Sequence, residues 1–180
     1  MTPLQFKSAW ATDVFELIPF SREEVQTVQI PDQERDFLIE IGLPADAAPF
    51  LNFGGKNVLH LPTAGKFIQH EGVLTQFRVI GSNAYGDPIC IDESSGGTIV
   101  YLNHDDSMRA CFMNSSVSQL AYSLLAFRNL IEITNASAKP STYFEGIRIP
   151  EFMNQWIHQL EAIDSRAIQP ETFWHRQGIG

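Results

Sequence analysis

Between residues 77 and 130 the sequence repeats one pattern until a long helical periodicity replaces it, and few folds accommodate that order. Phe77-Arg78-Val79-Ile80, Ile89-Cys90-Ile91, Ile99-Val100-Tyr101-Leu102 and Ala110-Cys111-Phe112-Met113 are short, mostly apolar runs. Between them lie clusters of Gly, Ser, Asn and Asp: residues 81–88, 93–97 and 103–108. Short strands punctuated by such turn formers predict an antiparallel meander. Several runs are apolar at consecutive positions, which predicts a sheet covered at least partly on both faces. Ser116 and Gln119 then have the spacing of a capping box, and Val117, Leu120, Ala121, Leu124 and Ile131 recur at helical spacing behind it.

Flanking segments read as helices. Phe6, Trp10, Val14, Leu17 and Ile18 suggest one over residues 4–18. A second follows Pro31, with Asp32 as its cap, Phe37, Leu38 and Ile41 as its apolar face, and Gly42 and Pro44 as its stop. Residues 57–61 and 66–69 read as short strands. After a loop near 135–142, a last helix begins around Pro150 and buries Phe152, Trp156, Ile157, Leu160 and Ile163. Helices, then strands, then helices predict an α+β fold, an antiparallel meander packed with N-terminal and C-terminal helices, in one domain over residues 1–180. A chain of this length can bury roughly 70% of its unfolded surface, so its core needs no metal or disulfide.

Composition narrows function mostly by exclusion. The net charge of −9 repels nucleic acid, whose recognition needs Lys and Arg against phosphates, and favours a basic partner. No apolar run is long enough to span a membrane. The N-terminal residues lack the basic start and unbroken apolar stretch of a secretory signal, so a cytoplasmic protein is expected. Asn114-Ser115-Ser116 and Asn135-Ala136-Ser137 are then chance matches to the glycosylation sequon. Cys90 and Cys111 read as reduced, buried side chains, with a disulfide between neighbouring strands as the alternative.

No motif carries chemistry. Phe53-Gly54-Gly55-Lys56 lacks the upstream glycine and following hydroxyl residue of a phosphate loop, and residues 81–86 are followed by no Lys-Ser or Lys-Thr. His60, His70, His104, His158 and His175 are not paired at helical ligand spacing, and no nucleophile elbow occurs. Neither enzyme activity, nor a metal, nor a cofactor is expected.

One charge pattern stands out. From residue 79 to residue 108 there is no Lys or Arg, while Asp87, Asp92, Glu93, Asp105 and Asp106 all fall there. Alternate turns of a meander emerge at the same end, which would gather Tyr85, Asp87, His104, Asp105 and Asp106 into an acidic rim with an exposed aromatic. These are the candidate partner-binding residues. Read blandly, Asp and Asn are there because they form turns.

The same residues carry a family likeness. Gly81-Ser82-Asn83-Ala84-Tyr85-Gly86-Asp87-Pro88-Ile89-Cys90-Ile91-Asp92, a Ser-Gly turn, Ile99-Val100-Tyr101-Leu102, and Phe112-Met113-Asn114-Ser115-Ser116-Val117 leading into a helix together resemble the SUKH superfamily. The nearest subfamily is that of bacterial immunity proteins whose helix starts with Asn-Ser-Ser. Residues 37–44 are similar to the family's helix ending in Gly-Leu-Pro, and Phe173-Trp174 to a C-terminal feature. The likeness is densest over about 32–134, with a helical C-terminal segment over 150–176. Ser95 in place of the usual Thr, and Gly97 after Gly96, depart from the pattern. The resemblance implies an immunity protein of a polymorphic toxin system that neutralises a cognate toxin, often a nuclease or deaminase, by binding it. Its motif residues Asn114, Ser116, Gly81, Gly86 and Gly96 are implied to shape the fold. The alternative is a regulatory or scaffold module that binds a small ligand or a cellular protein.

Overall fold

Strand pairing follows chain order. In the computed structural model, which describes residues 1–10, 16–54, 60–137 and 143–178, an antiparallel six-stranded sheet runs β3 (Asp46–Ala47), β4 (Leu51–Asn52), β5 (Phe77–Asn83), β6 (Pro88–Asp92), β7 (Thr98–Asn103) and β8 (Arg109–Asn114). A separate ribbon pairs β1 (Leu17–Ile18) with β2 (Leu43–Pro44). The helices are α1 (Pro3–Trp10), α2 (Arg22–Val25), α3 (Asp32–Glu40), α4 (Ala64–Phe67), α5 (Val117–Ser137), α6 (Pro150–Ile163) and α7 (Phe173–Arg176). The fold is α+β, as the order of periodicities predicts. No helix among the described residues is long and apolar enough to cross a membrane.

Both faces of the sheet are covered, unequally. Ile80, Ile89, Ile91, Ile99, Tyr101, Cys111 and Met113 join the main core with α1, α3, α5 and α6. Phe77, Val79, Cys90, Val100 and Leu102 form a smaller core with Ala64 and Phe67 of α4. The two cysteines are therefore free and sit in different cores on opposite faces, which rules out a disulfide between them. Burial pushes the Cys90 thiol pKa well up, aided by the Asp92 charge, so it stays protonated and inert.

α5 is the central helix. Leu120, Leu124, Phe127 and Leu130 are buried along it, each contributing about 1.5–3 kcal/mol by leaving water. Phe127 meets Trp156 of α6 and Trp174 of α7 at ring-centroid distances of 5.3 and 5.6 Å. On α6, Met153, Trp156 and Leu160 are buried, while Phe152, Ile157 and Ile163 are partly covered.

Several local expectations give way. α1 stops at Trp10 and Leu17–Ile18 form a strand; Val14 lies outside the described residues, as do residues 57–59 of the strand expected over 57–61, where His60 and Leu61 are not in a strand. The strand expected over 66–69 is instead the end of α4, because the Thr63 hydroxyl accepts from the Lys66 N–H and starts a helical turn. Asp32 does not cap α3: Pro31 holds that position, and Asp32, in the first turn, pairs with Arg35. Gly81 is within β5 rather than in a turn. A Cβ there would lie 2.6 Å from the Phe53 ring and 2.7 Å from the Asn52 carbonyl oxygen, so glycine allows β4 to approach. α5 continues through Ser137, beyond the expected loop start at 135. Nor is the helix at Pro150 the last, since α7 follows it.

The capping box at α5 is half formed. Ser116 Oγ accepts from the Gln119 N–H at 3.3 Å, but Gln119 Nε2 donates to the Ile163 carbonyl at 2.8 Å instead of turning back. A distant carboxylate supplies another cap: Glu34 of α3 accepts from the Ser118 N–H and hydroxyl, both at 2.8 Å. Asp164, just past α6, accepts from the Ser115 N–H at 2.6 Å and its hydroxyl at 3.1 Å. Asn114, fully buried, donates to Ser123 Oγ at 3.0 Å and accepts from Trp174 Nε1 at 2.9 Å.

This junction predicts a measurable asymmetry between two aspartates. Asp164→Ala strands the part-buried Ser115 N–H and should cost about 1–3 kcal/mol in urea denaturation. Asp32→Ala, at an exposed pair, should leave the midpoint almost unchanged.

Candidate functional site

Two asparagines shape the exposed end of the sheet. Asn83, ending β5, accepts with its side-chain oxygen from the N–H groups of Tyr85 and Asp87, both at 3.0 Å. Asn103, ending β7, accepts from the Asp105 N–H at 2.9 Å. Each side chain stands in for a backbone acceptor and closes a tight turn, which is why Asn begins both.

The two turns do share an end, and one carboxylate ties them. Asp87 Oδ1 accepts from the His104 N–H at 3.0 Å and from His104 Nδ1 at 2.5 Å, while Asp87 Oδ2 accepts from Asn83 Nδ2 at 2.9 Å. Asp87 is only 5% exposed. Burial opposes its ionisation, but the His104 and Asn83 hydrogen bonds outweigh that and hold its pKa below the ordinary value. The same contact, with the Asp105 charge at 3.3 Å from Nε2, raises the pKa of His104.

The five residues singled out by sequence thus divide into a clip and what it displays. Asp87 faces inward and joins the turns. Tyr85 is 82% exposed, the Asp105 side chain 85%, and His104 and Asp106 lie half in solvent, Asp106 paired with Arg109.

Beneath the turns opens a cavity of about 420 Å³ that local sequence did not reveal. It is lined by Tyr85, Asp105 and Phe50, and by Phe173 and Arg176 of α7. Tyr101 is at its floor, its hydroxyl 3.4 Å from Arg176 and its pKa pushed up to about 12, chiefly by burial. Arg176 is also paired with Glu171 at 3.0 Å. Phe50 had one legible signal, a bulky aromatic directly after Pro49 in a stretch too short to bury it. Phe173 and Arg176 arrive only through tertiary packing. Among the described residues, no group of three or more His, Cys, Asp and Glu is placed to hold a metal ion. Of the segment rejected as a phosphate loop, Gly55 and Lys56 lie outside the described residues.

A family model described as "SUKH-4 immunity protein" matches residues 6–178. That span extends well beyond residues 32–134, where the motif likeness is densest. No curated protein and no solved structure matches the chain significantly.

The clip has a pH signature. The histidine's contribution to stability is complete below its ordinary pKa of 6.5 and is lost as pH rises through the raised folded value. The contribution of Asp87 is present above its ordinary value of 3.8 and is lost as pH falls through the lowered folded value. The turns should therefore be held best between these limits. NMR titration should place His104 above 6.5, and Asp87→Asn should bring it back down; a His104 titrating at or below 6.5 would rule the clip out.

Proposed function

The chain belongs to the SUKH-4 immunity protein family, and we propose that it neutralises a cognate bacterial toxin by stoichiometric binding, through the turns at the exposed end of its sheet. The family carries the toxin-neutralising role. The surface is our reading, and the observation behind it is the Asp87–His104 clip, which presents Tyr85, Asp105 and Asp106 together beside His104.

The proposed partner is a basic toxin domain of nuclease or deaminase type. A net charge of −9 supports this, as does the lack of any Lys or Arg between Arg78 and Arg109. Enzymes that act on nucleic acid commonly carry positive surfaces for phosphate, and an acidic surface meets such a partner quickly. We further propose that inhibition occurs in the cytoplasm, where such toxins reach their targets, and by occlusion rather than turnover. His104, the titratable ring at this end, is committed to Asp87, and the cysteines are buried in the cores.

Co-expression with toxin genes of the same locus tests the role. Growth should be rescued and a complex of fixed stoichiometry recovered; failure to bind or neutralise any of them would remove the reading's main support. Recovery of a housekeeping protein alone would favour the scaffold alternative. For the surface, Asp105→Lys with Asp106→Lys should slow association about tenfold and flatten its salt dependence. Asp87 is left intact in this variant, because losing it would open the turns themselves.

A further inference from the structure

Three exposed aromatic rings lie along one side of the molecule, and the fold goes to some length to hold them there. Phe50 is 69% exposed and Phe144 54%, with ring centroids 5.8 Å apart. Phe50 also lines the cavity under Tyr85. On its other side, Phe50 and Phe144 wall a second cavity of about 440 Å³, with Ala47, Leu51 and Ile131 among its apolar lining. Scattered exposed apolar residues are ordinary, but two exposed phenylalanine rings in contact, with Tyr85 across a shared cavity, have the composition of an interface centre.

The two phenylalanines are held from behind. Phe50 sits at the tip of the β3–β4 hairpin with φ of +62°, a region bulky residues seldom occupy, and the paired strands hold it there. Phe144 packs edge-on against the buried Tyr143 at 5.8 Å, and Tyr143 in turn meets Phe127 of the core at 5.4 Å. Such rings lose little freedom on binding.

Charge identifies the occupant. Asp46 and Glu132 border the second cavity; Asp105 borders the first together with Arg176, whose charge is paired with Glu171 at 3.0 Å. Arg128, which also lines the second cavity, is mostly buried; it donates to the Trp10 and Ala9 carbonyls and lies 3.3 Å from Glu132. The strip therefore presents aromatic surface with an acidic border. We propose that Tyr85, Phe50 and Phe144 form the docking strip for the toxin, with Phe50 at its centre. The toxin segment seated there carries a bulky apolar side chain, which enters the cavity between Phe50 and Phe144, flanked by Lys or Arg facing Asp46, Glu132 and Asp105. This rests on the toxin-binding reading above.

The test is calorimetric titration of the full chain with the toxin domain encoded beside its gene, inactivated by substitution. Phe50→Asn retains a residue tolerant of positive φ, and Phe144→Ser removes the second ring. Val73→Ser serves as the control; Val73 is exposed near α4, on the far side of the sheet. Phe50→Asn should weaken binding about 30-fold or more, Phe144→Ser about tenfold, and Val73→Ser less than about twofold. Hydrogen exchange on the wild type should show residues 46–52 and 143–146 protected by the toxin. If the wild type binds while both Phe variants bind as well as it does, or those segments gain no protection, the strip is wrong and the toxin-binding reading stands. A wild type that binds no adjacent toxin overturns both.

Discussion

The fold depends on a buried polar junction where β8 gives way to α5. Asn114, Ser115, Ser116 and Ser118 follow one another closely there, and each has a partner from elsewhere in the chain or from the helix itself. Glu34 reaches the junction from α3, Asp164 from the end of α6, and Trp174 from α7. Burying two carboxylates is costly unless their oxygens are fully occupied. Here they receive backbone N–H and hydroxyl donors that α5 would otherwise leave unmatched at its N-terminus. One set of hydrogen bonds satisfies the helix, accommodates the acids and fixes three segments relative to the sheet.

Because that junction lies at one end of the meander, the opposite end is free to serve another purpose. Met108 of the β7–β8 turn packs against the smaller core, and Asp87 ties that turn to the β5–β6 turn. Residues that look like a family signature, Asn114 and Ser116 above all, are occupied internally and have little left to offer a partner. The exposed groups, Tyr85, Asp105 and Phe50, stand on turns whose backbone is set by Asn83, Asn103 and the β3–β4 pairing. A rigid frame that holds out exposed turns suits the proposed binding role.

How much of this the sequence disclosed follows from the range of the interactions concerned. The meander and α5 were legible because their periodicity is local, and the shared end of the two turns follows from antiparallel connectivity. Residues 66–69 misled because four residues are too few to separate a strand from one helical turn, and the Thr63 cap decides the matter. Gln119 has the spacing of a capping box, yet a carbonyl 44 residues away claims it. Glu34 and Asp164 act across 84 and 49 residues, and no local pattern marks them. Asp87 was correctly grouped with His104, but its inward orientation could not be read, since a turn aspartate is usually solvated.

Acidic groups and aromatic rings at the candidate surface solve different parts of one problem. Exposed carboxylates act over about 8 Å at physiological salt, and a single exposed pair contributes about 0–1 kcal/mol. In the proposed interface Asp105 and Asp106 would accelerate encounter and exclude acidic competitors, but they could not by themselves supply slow dissociation from a toxin. Slow dissociation needs apolar area removed from water around fixed anchors. Tyr85 adjoins both features, as a ring 82% exposed in the same turn as the Asp87 clip. In the proposed interface, the clip that sets the acidic groups in place would also set one end of the aromatic strip, coupling steering and holding through a single buried carboxylate.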